Sequence, residues 1–212
     1  EIQKSIEDNP LFDTKKAQNK LRAYVERDKR TIATKAEIMM EHFISKVFNT
    51  KKLKGKAKGM VVTQNIESAI RYYFAINSIL KEKGNPFKVV IAFSGKKIVD
   101  GIEYTEAELN KFSEKDTKDQ FNSDEYRLLV VANKYLTGFD QPKLCSMYVD
   151  KKLNGVQCVQ TLSRLNRTKS GKTDTFVLDF ANETEEIVES FQPYFTSTVL
   201  TEETDPDKVY DL

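Results

Sequence analysis

The chain has 212 residues, 31% of them charged and 39% hydrophobic, with 13 Phe and 9 Tyr, which is apolar enough for a real core and excludes a largely disordered chain. No apolar run approaches the ~18–20 residues of a membrane span, so no membrane partner is expected, and two cysteines with one histidine argue against a disulfide framework or a structural zinc site and for a cytoplasmic setting. The net charge of +2 hides a gradient: residues 1–58 carry 15 Lys and Arg against 8 Asp and Glu, residues 59–173 carry 18 against 13, and residues 174–212 carry 1 against 11, so polyanion contact is expected before residue 174 and none after it.

The opening Glu1-Ile2-Gln3 lacks an initiator Met, which leads us to expect a piece of a longer polypeptide. Asp13 or Thr14 is placed to cap a helix over Lys15–Arg30, and Thr34 to cap a second over Lys35–Phe48, with Ile38, Phe43, Ile44 and Val47 as its apolar face. Lys51–Gly59 reads as a Lys- and Gly-dense linker. Residues 1–58 are therefore expected to form a helical connecting segment and residues 59–212 one further domain. In the second part strands alternate with helices. Strands are predicted at Met60–Thr63, Val89–Phe93, Leu128–Ala132, Ser146–Val149 and Thr175–Phe180. Helices are predicted over Ile66–Lys83, near Lys115–Phe121, over Gly155–Arg167 and, as an acidic close, over Glu183–Phe195. Short, near-continuous apolar strands separated by helices predict an α/β fold: a parallel sheet covered on both faces. Binding loops in such sheets lie at the carboxyl ends of the strands, here after Thr63, Phe93 and Ala132.

Ser170-Gly171-Lys172-Thr173 ends like a phosphate-binding P-loop, but Asn166 stands where the first glycine is required and the segment leads into a strand, so it reads as a turn. In Thr137-Gly138-Phe139-Asp140, Gly138 permits a tight turn beside a ligand, Thr137 offers a hydroxyl to a phosphate, and Asp140 can accept from a ribose or an arginine. An ordinary glycine turn with a helix cap fits the same four residues. Gln160, Arg164 and Arg167 share one face if the helix runs through them, and two guanidinium groups at a helix end suit a phosphoryl-transfer site as well as surface ion pairs.

Taken in order, these segments are Val61-Val62-Thr63-Gln64-Asn65, Phe93-Ser94-Gly95, Gln120-Phe121, Thr137-Gly138-Phe139-Asp140-Gln141-Pro142, Val149-Asp150-Lys151-Lys152-Leu153, Gln160-Thr161-Leu162-Ser163-Arg164-Leu165-Asn166-Arg167 and Asp174-Thr175-Phe176-Val177-Leu178-Asp179-Phe180. The series resembles the second RecA-like domain of superfamily 2 helicases, and within them the motor (R) subunit of type I restriction–modification enzymes. The resemblance covers roughly residues 60–212. It implies a RecA-like parallel sheet forming one lobe of an ATP-dependent double-stranded DNA translocase. It further implies that ATP and Mg²⁺ are bound mainly by an upstream lobe, and that the partners are DNA and the modification (methyltransferase) and specificity subunits. By position it makes Arg164 and Arg167 catalytic, reaching across the cleft to the phosphates. Gly138, Asp140 and Gln160 become the ATP-binding edge, and Thr63, Gln64, Asn65, Ser94, Gly95 and Thr137 the DNA-binding edge.

No Walker A lysine loop, Mg²⁺-holding Asp-Glu pair or nuclease constellation stands in this sequence, so no metal site is expected, nor ATP hydrolysis or DNA cleavage by the chain alone. The polar insert Lys96–Asn110 is longer than a minimal helicase connection, which fits a contact with partner or DNA and a surface elaboration equally. The competing function is a non-catalytic nucleic-acid-binding module built on the same lobe. His42, Cys145 and Cys158 read as structural.

Overall fold

The structure, a computed structural model, describes residues 29–136 and 138–199. The helix expected over Lys15–Arg30 lies outside the described residues apart from its last two, which already belong to α1 (Lys29–Phe43). Thr34 is therefore not a cap. It sits inside α1, where its hydroxyl donates back to the Arg30 carbonyl at 3.0 Å. After Phe43 the helix widens into a π-helical turn, Ile44–Phe48. The apolar stripe also differs in phase from the one expected. Ile32, Ala36, Met39, Met40, Phe43 and Val47 are buried at helical spacing, whereas Ile38 is 44% exposed. Each large side chain in such a stripe stabilises the fold by roughly 1.5–3 kcal/mol, so α1 shares its core with the sheet.

The expected linker is ordered as well. Lys51, Leu53 and Lys54 turn left-handed at φ 52°, 52° and 56°, and the chain enters β1 (Lys58–Thr63) directly. Then follow α2 (Ile66–Glu82), β2 (Lys88–Ala92), a hairpin of β3 (Lys96–Val99) and β4 (Ile102–Thr105), and short helices α3 (Glu106–Asn110) and α4 (Thr117–Asn122). The remainder is β5 (Tyr126–Val131), β6 (Leu144–Asp150), α5 (Gly155–Leu162), β7 (Phe176–Asp179) and α6 (Thr184–Val199). Five strands pair in parallel in the order β2-β5-β1-β6-β7, with β1 at the centre. This is the expected α/β architecture, a parallel sheet covered by helices on both faces.

Alternation along each strand divides the core between two faces. Val61, Val89, Ile91, Leu128, Val130 and Tyr148 lie under α1 and α2. Met60, Val62, Val90, Leu129, Val131 and Met147 lie on the opposite face with Phe121, Cys158 and Leu162, and Ile187 and Phe191 of α6 close over them. Gly59 is required by this packing: a Cβ there would stand 2.7 Å from both Leu128 Cδ2 and Ser146 Oγ, and 3.0 Å from the Phe43 ring. Cys145 and Cys158 are free and buried, and His42 bonds the Tyr148 hydroxyl at 2.9 Å while standing edge-on to Phe176. All three are packing residues.

The insert at 96–110 is not irregular. Thr105 and Glu108 form a reciprocal capping box at the start of α3, which presents Asn110 and Glu106 to β2, the edge strand. Asn110 accepts from the Ile91 N–H at 3.0 Å and donates to the Ile91 carbonyl at 2.7 Å. Glu106, fully buried, accepts from Phe93 N–H at 2.8 Å, Thr117 Oγ1 at 2.6 Å and Lys134 Nζ at 2.8 Å. Two side chains thus occupy the outward backbone groups that a sheet edge leaves unpaired.

Lys58 is the charged group that the fold buries most completely among those at the amino ends of the strands. Its Nζ donates to the Ser123 and Tyr126 carbonyls at 2.7 and 2.6 Å and lies 4.9 Å from the Phe121 ring centroid. Burial, with Lys143 and Arg127 nearby, pulls its ammonium from 10.5 down to about 7. Between these values the unfolded chain binds more protons than the folded one, so the contribution of Lys58 to stability is present above pH 10.5 and is lost as pH falls toward 7. We predict that the stability difference between wild type and Lys58→Met, measured by urea unfolding, shifts in favour of wild type as pH is raised through this window. A pH-independent difference contradicts the assignment.

Candidate functional site

The candidate residues gather at the carboxyl end of the sheet, where the strands finish at Thr63, Ala92, Val131 and Asp150. The segment between β5 and β6 has no regular structure, and three anchors hold it. Leu136 and Phe139 are buried, with Phe139 stacked on Tyr135 at 4.8 Å. Lys151 Nζ donates to Asn133 Oδ1 at 2.6 Å, and burial lowers the pKa of this lysine. Arg164 donates through Nε to the Leu136 carbonyl at 3.3 Å and through Nη1 to the Phe139 carbonyl at 2.9 Å. A single guanidinium fork thereby brackets Gly138, which turns at φ +66° with open space around its Cα.

Arg167 differs from Arg164. The α-helix ends at Leu162 and a 3₁₀ turn, Ser163–Asn166, follows, so the helical face expected to join Gln160, Arg164 and Arg167 is not formed. Gln160 is exposed on α5, and Arg167 leaves in extended backbone (φ −64°, ψ 122°). The loop reunites the arginines: Arg167 Nε lies 3.3 Å from Asp140 Oδ1, an ion pair with side chains 53% and 69% exposed. Such a pair is screened and worth little to stability, about 0–1 kcal/mol, which leaves the guanidinium available to a stronger anion. Arg164 and Arg167, with Gly138 and Asp140, therefore form one cluster, and among the described residues no hydrogen bond or ion pair joins Gln160 to it.

The residues expected on the other edge are placed less uniformly. Thr63 is fully buried, and its hydroxyl donates to the Val131 carbonyl at 3.0 Å, with the Asn65 carbonyl also within reach at 3.2 Å, so it ties β1 to β5 and does not face outward. Asn65 caps α2, accepting from Ser68 N–H at 2.9 Å. Gln64 is exposed, with Oε1 accepting from Lys152 N–H at 3.3 Å. Ser94 and Gly95 are exposed at the end of β2. Thr137 lies outside the described residues.

Two groupings at this end were not foreseen. Lys134 joins buried Glu106 at 2.8 Å and exposed Glu114 at 3.2 Å, fastening the start of the loop to the insert. The capping pattern Thr105-Glu106-Ala107-Glu108 is the sequence signal that could have located α3. At the end of β6, Asp150 accepts from Tyr72 Oη at 2.6 Å and Lys35 Nζ at 2.7 Å, which connects α1 and α2 to the site. Burial, reinforced by Asp150, raises the Tyr72 pKa, so this phenol remains a donor. Its parent motif was legible, but the partners come from helices 78 and 115 residues away.

Fold and site together define a parallel α/β lobe in which a glycine-bearing loop and two arginines converge beyond the carboxyl ends of the strands. Residues 99–182 match the family described as type I restriction enzyme subunit R domain 3. The chain is 30% identical over 190 residues to the putative type I restriction enzyme MjaVIIP endonuclease subunit of Methanocaldococcus jannaschii, covering 82% of this chain and 17% of that protein. It is 28% identical over 179 residues to the MjaIXP endonuclease subunit of the same organism, covering 78% and 16%. The chain thus spans about one-sixth of the length of these relatives. Among solved structures, the Pyrococcus furiosus Hef helicase domain aligns with a TM-score of 0.42 and 17% identity over 77% of this chain and 28% of that one. Residues 99–182 thus match a type I restriction enzyme R-subunit domain, and the chain is similar to endonuclease subunits of such enzymes.

Because Arg164 makes two charge-assisted bonds, each worth about 1.5–3 kcal/mol, Arg164→Ala is expected to speed amide exchange at residues 138–140 about tenfold or more while the exchange of β1 is unchanged. Unaltered protection at 138–140 would show that Leu136 and Phe139 hold the loop without it.

Proposed function

We propose that this chain is one lobe of an ATP-dependent double-stranded DNA translocase within a type I restriction enzyme. The observation that carries this reading is the exposed Arg167, held by the exposed carboxylate of Asp140 beside a loop that Arg164 fixes. An exposed guanidinium whose one acid partner among the described residues is itself solvated fits a nucleotide phosphate. A doubly or triply charged oxyanion outcompetes one exposed carboxylate, and Gly138 leaves room for its approach. Among the described residues no group of three or more His, Cys, Asp or Glu is placed to hold a metal, and in this reading Mg²⁺ is held with the phosphates by a separate ATP-binding lobe. ATP, when bound there, provides the phosphoryl group whose transfer to water drives opening and closing of the lobes.

In this reading the arginines have unequal roles. Arg167 reaches across the interface to the phosphate oxygens and stabilises the charge that develops on them. Arg164 is a positioning residue, because both its bonds are to loop carbonyls of its own lobe. Gln64, Ser94 and the Gly95 backbone, all exposed beyond β1 and β2, grip DNA phosphates without reading bases. The DNA-binding role expected of the Thr63 hydroxyl is withdrawn, since the sheet already uses it.

The test is DNA-stimulated ATP hydrolysis by the full R subunit assembled with its modification and specificity subunits. Arg167→Ala is expected to lower turnover ~10³-fold or more, and Asp140→Asn far less, with both variants folded because both side chains are exposed. Wild-type turnover in Arg167→Ala overturns the assignment and favours a non-catalytic nucleic-acid-binding module.

A further inference from the structure

The opposite end of the sheet carries a concavity that the proposed motor does not use. A cleft of about 630 Å³ opens where the left-handed turn after the π-helical segment meets the chain entering β2 and β5. Its lining includes Phe48, Lys51, Lys54, Phe87, Asp124 and Arg127. That volume lies within the usual ~300–1,000 Å³ range of small-ligand sites. The β1 strand, six residues long, separates this cleft from the carboxyl-end loops by roughly 20 Å.

Its charge is unbalanced. The two acids on the wall are engaged, with Glu125 2.6 Å from Lys88 and Asp124 3.2 Å from Lys56 and 3.9 Å from Lys143. Among the described residues, Lys51, Lys54 and Arg127 have no carboxylate within ion-pair distance. Arg127 is only 9% exposed, and its Nη1 is buried with no hydrogen-bond partner. Buried guanidinium groups are ordinarily paired, because leaving the charge unanswered in a medium of low dielectric is costly. The rim is also strained. Lys51, Leu53, Lys54 and Asn85 all adopt positive φ between 52° and 56° without being glycine. Such conformations persist where the surroundings impose them, and they concentrate at ligand sites. Here the turn carries Lys51 and Lys54 to the mouth of the cleft.

We propose that this cleft is an anion site that takes a phosphate group carried on a larger molecule. Three cations with no ion-pair partner among the described residues match a dianionic phosphate better than a single carboxylate. Phe48 and Phe87 form an apolar wall for the group that bears the phosphate. The phosphate belongs either to a small phosphorylated molecule or to a nucleic-acid backbone.

The chain labelled with ¹⁵N is titrated with inorganic pyrophosphate and, separately, with a short DNA duplex, following amide shifts. Saturable shifts at residues 51–56, 85–88 and 124–127 are expected with pyrophosphate. The double variant K51Q/K54Q, altered at the mouth of the cleft and not in the core, is expected to weaken them about tenfold or more. The same amides moving with duplex, and moving back on addition of pyrophosphate, assign a backbone phosphate. Movement with pyrophosphate alone assigns a small molecule. Arg167→Ala must leave these shifts in place, which separates this site from the one at the carboxyl end. Still amides with both probes, or wild-type affinity in K51Q/K54Q, overturn the proposal.

Discussion

The Arg164 guanidinium reaches out of a 3₁₀ turn to the carbonyls of Leu136 and Phe139, and the geometry of the site follows from that reach. The chain between β5 and β6 has no ladder of its own, so its shape must be imposed from outside. Buried Leu136 and Phe139 fix its depth, and the fork of Arg164 fixes the arc between them, where Gly138 makes its left-handed turn. Asp140 then emerges beside Arg167. A lysine at position 164 would present a point charge and could not bracket two carbonyls in a fixed plane.

The site is also fastened from the back. Lys35 on α1 and Tyr72 on α2 both end on Asp150, at the carboxyl terminus of β6. The helix preceding the sheet therefore does more than connect: its stripe from Ile32 to Val47 completes one face of the core, and one polar side chain reaches the functional edge. Lys134 does the same from the other flank, tying the start of the loop to Glu106 in the insert that covers the edge strand. Elements that read as a linker and an elaboration thus restrain the segments proposed to meet ATP and DNA.

Much of this was legible in the residues. Short Val-, Ile- and Leu-rich runs announced buried parallel strands, since only a sheet covered on both faces lacks polar alternation. Motif order placed Gly138, Asp140, Arg164 and Arg167 after strands, and the structure gathers these four residues in one cluster. The failures have local causes. Thr34 resembled a cap because its hydroxyl suits one, but tertiary burial of Ile32 drew the helix past it. A straight-helix projection put Gln160 with the arginines, and the switch to a 3₁₀ turn after Leu162 changed the angular step. Thr63 looked like a ligand hydroxyl, and only strand order shows that the Val131 carbonyl lies within its reach. The pairings of Asn110 with Ile91 and of Asp150 with Lys35 depend on sequence-distant contacts that no local pattern encodes.

In the proposed motor Arg164 acts only through the loop that positions Asp140 and Arg167. ATP turnover by the assembled R subunit carrying Arg164→Ala and Arg167→Ala together measures this against Arg167→Ala alone, since residues acting in series do not add. The double variant is predicted to be no slower than the single one. A further, multiplicative loss would mean that Arg164 releases its loop carbonyls and acts on the phosphates itself.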